Sequence, residues 1–319
     1  MSAQVSIIMC SYNSAQYVGK AIDCILAQTF TDWELVISDD HSTDNSVEVI
    51  TPYLQDPRIK LYIQEQNAGY VKNKNSAMRR ATAPLITQLD SDDLCPADRI
   101  EKQVRVFKNN TDIKICGSDF IAIGVDDQPL PPPEFNNRKK HEKDFIITDL
   151  QLDYPFWFPG LMWRKELFEE AGYFSEYFNG IYGDDHYWTL KVHKNHPIYF
   201  LKDALYYYRI NPASITNVLD NDRKLIAQDI IAELHRLIKD TGTDWLQQGN
   251  IEAGKSFEEE LFNNKLLMAK RYRMWAAKAI DKKNWKQATH LLKKHFAYSK
   301  TDVSGYRTLL SFLRSRYLN

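Results

Sequence analysis

Apolar and polar positions follow two rhythms along the chain. Short apolar runs end abruptly at polar clusters: Val5-Ser6-Ile7-Ile8-Met9-Cys10, Trp33-Glu34-Leu35-Val36-Ile37-Ser38, Ile59-Lys60-Leu61-Tyr62-Ile63 and Pro84-Leu85-Ile86-Thr87. Their length and their content of β-branched residues predict buried strands. Segments with apolar residues at helical spacing lie between them. The first is capped by Ser14 and carries Tyr17, Ala21, Cys24, Ile25 and Ala27. The second starts at His41-Ser42-Thr43-Asp44 and carries Val47, Val49, Ile50 and Leu54, and the third runs from the turn Asn67-Ala68-Gly69 to about Arg80. Strands alternating with helices imply right-handed crossovers and a mostly parallel sheet, an α/β fold.

Beyond Pro84 the pattern continues less regularly. A helix is predicted over Ala97–Phe107, a strand within Ile113–Gly124, and a proline-rich loop over Asp126–Lys140. Phe156-Trp157-Phe158-Pro159-Gly160 reads as an aromatic loop, and Arg164–Gly172 as a short helix closed by Gly172. Gly183-Asp184-Asp185 precedes a helix reaching about His193, and two strands follow at Ile198–Leu201 and Leu205–Arg209. From Asp220 the pattern is helical throughout, with breaks near Thr241-Gly242-Thr243, Gly249 and Gly305. Tyr272–Ser299 has the look of one tetratricopeptide-like helix pair, turning at Lys282-Lys283-Asn284. The predicted organisation is a domain over 1–218, made of halves 1–103 and 104–218, followed by a helical region over 219–319.

Composition changes this picture in four places. No apolar run approaches the roughly 20 residues of a membrane span. The start, Met1-Ser2-Ala3-Gln4, has no basic segment or cleavage site, so no signal peptide is expected. Cys10, Cys24, Cys95 and Cys116 are scattered without a CxxC pair, which argues for a reducing, cytoplasmic setting and against a zinc site. Residues 265–319 hold fourteen basic and two acidic residues, a net +12, which with the total of −1 leaves −13 to residues 1–264. Such asymmetry predicts an anionic partner, and a membrane surface met by residues 265–319 is the expected one. A nucleic-acid partner is not expected.

The candidate chemistry centres on Leu89-Asp90-Ser91-Asp92-Asp93, at the predicted carboxyl end of the fourth strand. Ligands of open α/β sheets bind in the crevice outside those strand ends. Carboxylates packed so closely repel one another unless a cation or a proton sits among them. Mg²⁺ is typically held by one or two carboxylates plus substrate phosphates. An acidic turn capping the next helix explains the stretch equally well at this point. Neither the GxGxxG nor the GxxxxGK[ST] fingerprint occurs. A nucleotide site remains open to the chain, because the first two strands would end side by side and place Ser11, Tyr12, Asp39 and Asp40 in one pocket. A Tyr ring can stack on a base, and a carboxylate can accept the N3–H of uracil.

Several segments together carry a resemblance: Val5-Ser6-Ile7-Ile8 with Ser11-Tyr12-Asn13; Ala27-Gln28-Thr29-Phe30; Asp39-Asp40-His41-Ser42-Thr43-Asp44; Asn67-x-Gly69; and Leu89-Asp90-Ser91-Asp92-Asp93 with Pro96. Val5–Gln103 resembles the nucleotide-binding half of the inverting family 2 glycosyltransferases, which have the GT-A fold. The likeness continues more loosely through Trp163-Arg164, Gly172-Tyr173-Phe174 and Gly183-Asp184-Asp185 to about Thr216.

The resemblance implies a UDP-sugar donor, Mn²⁺ or Mg²⁺, and a glycan or lipid-linked acceptor in surface polysaccharide or lipopolysaccharide assembly. It implies a cytoplasmic enzyme, peripheral at the inner face of the membrane. A catalytically inactive nucleotide-sugar or glycan-binding module of the same fold is the alternative. Residue by residue, it places Ser11, Tyr12, Asp40, Asn67, Gly69, Lys74, Asp90 and Ser91 at the nucleotide sugar. Asp40 matches the residue on the uracil ring, and Asp90-Ser91-Asp92 the DxD motif, with Asp92 the metal ligand and Asp90 in the ribose and metal shell. Asp93 stays open as cap or alternate ligand. Asp185 matches the catalytic base, while Asp184 is read as a cap or an acceptor contact.

Two departures from the family stand out. Lys74-Asn75 replaces the frequent Arg-Asn, which keeps a charge but loses the bidentate fork. Tyr208-Arg209 is followed by Ile210-Asn211 rather than by a His that could bind metal. Phe156, Trp157, Phe158 and Trp163 are candidates for an acceptor subsite, with core packing the competing reading. The proline-rich loop is a candidate lid over the donor, or else a solvated surface loop.

Overall fold

β1 (Val5–Ser11) is buried along its whole length, as an apolar run in mid-sheet must be. The computed structural model describes residues 3–131, 142–149, 158–211, 219 and 221–317. β2 (Trp33–Asp39) lies parallel to β1 on one side, and β3 (Ile59–Ile63) continues the sheet parallel to β2. β4 (Leu85–Gln88) lies parallel to β1 on the other side. The crossovers are α1 (Val18–Leu26), α2 (Ser46–Ile50) and α3 (Tyr70–Arg80), and α4 (Arg99–Asn109) follows the acidic stretch. Val5, Ile7, Met9, Leu35 and Ile37 meet Val18, Ala21, Ile22 and Ile25 of α1 in a core closed to solvent.

The second half of the sheet is mixed. β5 (Ile115–Ile123), β6 (Phe145–Ile147) and β7 (Met162–Arg164) are followed by α5 (Leu167–Ala171), α6 (Asp184–His193) and β8 (Ile198–Arg209). The eight strands run β3-β2-β1-β4-β7-β5-β8-β6. β7 is antiparallel to both β4 and β5, and β6 is antiparallel to β8. β7 therefore joins the two halves into one mostly parallel sheet.

Four local expectations are corrected. β7 was not anticipated, because three residues are too few to display a period; the helix expected from Arg164 is the shorter α5, closed by Gly172 at φ +68°. The two strands expected around Lys202-Asp203 are one, β8, whose register against β5 shifts where Asp119 pairs with Ala204 and Phe120 with Tyr206. The bulge absorbs the polar residues that looked like a break. Ser14 does not cap α1: its carbonyl accepts from Tyr17 and Val18, and its hydroxyl meets Ser11 Oγ at 2.9 Å. The break expected near Gly305 falls between Tyr298 and Val303, and Gly305 itself lies inside the helix that follows.

The chain divides into two units, Met1–Gly180 with Asp184–Asn211, and Ile181–Gly183 with Pro212–Asn319. The second unit holds α7 (Ala227–Thr241), α8 (Ile251–Asn263), α9 (Lys265–Asp281), α10 (Trp285–Tyr298) and α11 (Val303–Tyr317). Side chains of Asn250, Asn264 and Asn284 accept the third-residue N–H of α8, α9 and α10, so each helix starts where the sequence supplies a cap. Gly242 ends α7 in the left-handed conformation. α9 and α10 bury Ala276, Ala279, Ile280, Ala288, Leu291 and Leu292. Among the described residues no helix is long and apolar enough to cross a membrane.

Candidate active site

Register brings the polar strand ends together. Ser11 at the end of β1 pairs with Asp39 at the end of β2, and the Leu89 N–H donates to Ile8 O, carrying β4 up to the acidic stretch. Ser11, Asp39-Asp40 and Asp90 thus share one edge of the sheet. The loops above them are latched. The Asn13 side chain accepts from Thr43 N–H at 2.8 Å, Asp39 accepts from the Ser42 amide and hydroxyl, and Asn13 N–H donates to Ser42 Oγ at 2.9 Å. Tyr12 projects from this frame with half its surface exposed.

Asp40 is nearly closed to solvent, and both its carboxylate oxygens accept backbone N–H groups, from Ala68 at 2.8 Å and Gly69 at 2.9 Å. The Asn67 side chain donates to Asp40 O at 3.3 Å. Asn179 holds the same turn from the other side, donating to Ala68 O at 3.0 Å and accepting from Val71 N–H at 3.3 Å. Gly69 has φ +88°, and a Cβ there would fall 2.5 Å from Asn179 Oδ1, so the turn requires glycine twice over. Asp40 therefore shapes the Asn67–Gly69 turn.

The acidic stretch divides into two kinds of carboxylate. Asp93 is buried, accepting from Tyr206 Oη at 2.7 Å and from Arg209 N–H at 2.7 Å. It does not cap α4, whose N-cap residue is Asp98 with no side-chain bond, so the capping reading falls away. Asp90 and Asp92 are partly exposed. Burial and the adjacent Asp92 charge push Asp90 up to about 6, with the Asp185 charge adding to the rise. Burial raises Asp92 too. Burial raises Asp93 well above the usual carboxylate range, followed by the charges of Asp92 and Asp90. Ser91 is buried between them.

A crevice that raises its own carboxylates is short of positive charge, and that is the condition a divalent cation relieves. Among the described residues no cluster of three or more His, Cys, Asp or Glu could hold a metal by itself. The available donor set is two hard carboxylate oxygens, which suits an ion completed by phosphate and water rather than an all-protein cage.

Three of the expected contacts take other places. Trp163 has no exposed surface and packs against Phe158, Phe168 and Trp188 at ring separations of 5.5 to 6.2 Å, so no ring face is left for a sugar; core packing is its role. Lys74 is enclosed too, donating to Asp184 Oδ2 at 2.6 Å with its ammonium 4.4 Å from the Phe174 ring. Burial is the largest influence and opposes the charge, but Asp184 together with Tyr70 and Asp185 outweighs it and holds Lys74 above the ordinary lysine range. The pair lies under the site, tying α3 to α6, and neither member reaches solvent to grip a phosphate or an acceptor. Trp157, with Phe156, Ser214, Thr216 and most of the proline-rich loop, lies outside the described residues.

Other residues were not anticipated. Arg209 is fully buried; its Nε donates to Asp92 O at 2.6 Å, and its Nη1 donates to Gly124 O at 2.7 Å and meets Asp127 at 2.6 Å. Tyr206 accepts from the Asp90 N–H while donating to Asp93. Arg99 braces the strand from below through Thr87 Oγ1, Gln88 O and Pro159 O. Gln28 donates to Pro96 O at 2.8 Å and accepts from Ile100 N–H, fixing the chain just past the acidic stretch. Of these, Gln28 and Arg209 had drawn notice only as members of the segments Ala27–Phe30 and Tyr208-Arg209, with no role given to either side chain.

The Glycosyl transferase family 2 model matches residues 6–172, more than half of the chain. The chain belongs to that family. The family 2 chain is 29% identical over 238 residues to the glycosyltransferase GlyG of Streptococcus pneumoniae, covering 67% of this chain and 73% of that one. It is 39% identical over 162 residues to WfgD of Escherichia coli, a UDP-Glc:α-D-GlcNAc-diphosphoundecaprenol β-1,3-glucosyltransferase, covering 49% of this chain and 64% of that one. It therefore spans less than two thirds of the length of some relatives it matches. The S. aureus TarS 1–349 structure solved with UDP-GlcNAc superposes with a TM-score of 0.57 at 16% identity, covering 98% of this chain and 81% of that one. At that identity the likeness shows the GT-A fold. The enzyme is a glycosyltransferase, and the acidic strand end and the Asn67–Gly69 turn both fall inside the family match.

Proposed function

We propose that this family 2 glycosyltransferase moves a sugar, with inversion, from a UDP-sugar to a glycan or lipid-linked acceptor, using Mn²⁺ or Mg²⁺. The setting we infer is surface polysaccharide or lipopolysaccharide assembly at the cytoplasmic face of the membrane. The observation that carries the reading is the crowding of carboxylates at one strand-end crevice, where Asp90 and Asp92 lie partly exposed and where burial first, then the Asp92 charge and last that of Asp185 raise Asp90. In support of the donor, the relative WfgD is named for a UDP-glucose reaction on a diphosphoundecaprenol-linked sugar.

In this reading the Tyr12 ring covers the base, and Asp40 faces it from the turn that it also holds. Ser11, Ser91, Asn67 and Gly69 line the nucleotide sugar. Asp92 and Asp90 would hold the divalent ion, which offsets the charge gathering on the diphosphate leaving group. Asp185 stands at the start of α6, partly exposed, and takes the proton of the acceptor hydroxyl as its oxygen attacks the anomeric carbon. Buried Asp184, pinned by Lys74, fixes the helix end that carries Asp185. Positioning and proton removal are the work of the chain itself, and the buried Asp93–Tyr206–Arg209 network keeps the strand end from yielding under the ligand's charge.

The test is turnover of UDP-sugars by wild type and by Asp185→Asn, with UDP binding followed by calorimetry. We expect kcat to fall by about 10²–10⁴ while UDP affinity stays within a few-fold. Full kcat in Asp185→Asn would overturn the base assignment. Absence of turnover in the wild type with any UDP-sugar, alongside normal UDP binding, would favour an inactive binding module.

A further inference from the structure

α11 meets its unit through Gly305 and Phe312, the residues buried in it. A Cβ at Gly305 would overlap His295 of α10, so this face is closed against its neighbour. About a third of the way round the helix runs a second apolar stripe. Val303, Tyr306, Leu310, Leu313 and Tyr317 recur at spacings of three and four, and they are 65%, 50%, 56%, 41% and 65% exposed. A continuous apolar stripe of four turns marks an interaction surface rather than scattered surface residues.

Charge decides what covers it. α11 carries Arg307, Arg314 and Arg316, all exposed, and no Asp or Glu. Arg307 and Arg314 fall beside the stripe on one flank. A second copy of α11 would set these guanidinium groups against their like, with no carboxylate on the helix to answer them. An anionic bilayer supplies both needs at once, an apolar interior for Leu310 and Leu313 and a negative surface for the arginines. Tyr317 has the apolar body and polar tip that favour the headgroup boundary, while Tyr306 rests on Phe296 with its hydroxyl donating to Lys300 O and leaves half of its surface open. The remainder of the tail from Lys265 is basic as well.

We propose that the Val303–Tyr306–Leu310–Leu313–Tyr317 stripe of α11 is a peripheral docking face for a bilayer containing anionic phospholipid, with the helix lying in the interfacial plane. The inference narrows the charge asymmetry of the tail to one helix face, and it is independent of the transfer reaction.

Flotation of the full chain with vesicles tests it, without donor or metal. The chain is expected to rise with phosphatidylcholine vesicles that contain phosphatidylglycerol and to stay down with phosphatidylcholine alone. Leu310→Glu/Leu313→Glu changes exposed positions and so leaves the melting temperature unaltered, while binding falls by roughly tenfold or more. Arg307→Gln/Arg314→Gln is expected to weaken binding and to flatten its dependence on salt. A wild-type chain that floats with neither vesicle overturns the proposal, and so does a double Glu variant that floats as well as wild type. A dimer in vesicle-free buffer that the double Glu variant dissolves would assign the stripe to a second copy and overturn it equally.

Discussion

At the scale of single residues, the site separates carboxylates that act from carboxylates that hold. Asp185 and Asp92 are partly exposed, whereas Asp184 and Asp93 are buried against Lys74 and against Tyr206 with Arg209. Breaking a buried ion pair by removing one partner leaves an uncompensated charge in the interior. Lys74→Met is therefore expected to cost about 3–5 kcal/mol in urea denaturation, and Lys74→Met/Asp184→Asn to recover most of it. Equal losses in the single and double variants would mean that the pair is not coupled. Asp90 makes a second prediction at this scale. Its folded value, about 6, lies above the ordinary carboxylate value. The folded state then holds the proton more tightly than the unfolded chain, so this contribution to stability is present at low pH and is lost as pH rises toward and through 6. In metal-free buffer Asp90→Asn is expected to gain on the order of 1 kcal/mol over wild type at pH 7, with no gain near pH 4. A wild-type advantage at pH 7 would contradict the charge-crowded reading.

At the scale of elements, glycines and side-chain braces decide where helices sit. The break expected near Gly305 falls just before it, between Tyr298 and Val303, and α11 runs through the glycine itself because a missing Cβ is what lets the helix close on His295. Gly305→Ala would force α11 away from α10, and a loss of about 1–3 kcal/mol is expected in thermal unfolding. The N-terminal half offers the complementary case. Ala27-Gln28-Thr29-Phe30 was noticed as a family signature, and the structure supplies its physical reason: Gln28 spans from α1 to Pro96 and Ile100. Gln28→Ala leaves Ile100 N–H and Pro96 O without that partner. An increase in KM for donor larger than the fall in kcat is expected, since the acidic strand end is loosened while Asp185 is untouched.

At the scale of the whole molecule, ligand linkage is the readout. A ligand that binds only the native state raises its stability as the logarithm of concentration over Kd. UDP with Mn²⁺ at one hundred times Kd should add about 2.7 kcal/mol, seen as a rise in Tm, and chelation of the metal should remove most of that rise. Asp92→Asn is expected to abolish the metal-dependent part while keeping the fold. An unchanged Tm in UDP with Mn²⁺ would count against the site altogether.

Local chemistry written in the sequence was enough for the first half of the sheet. Fully buried parallel strands must be apolar runs, and each crossover helix starts at a polar break, so β1 to β4 and the acidic strand end were readable from residue pattern alone. The family likeness drew on the same segments, which lie where backbone and ligand leave few alternatives. Pattern failed where tertiary partners set the outcome. β7 is three residues long and exists because β4 and β5 offer it edges on both sides. The bulged β8 absorbs Lys202 and Asp203, which by themselves look like a loop. A lysine at position 74 and a tryptophan at 163 are consistent with a ligand contact or with the core, and only the packing around them chooses the core. The same holds for Asp184 and Asp185. The family likeness separated the two carboxylates by position, but only the helix shows how: it turns Asp184 toward Lys74 and leaves Asp185 partly open, because successive residues on a helix point about 100° apart.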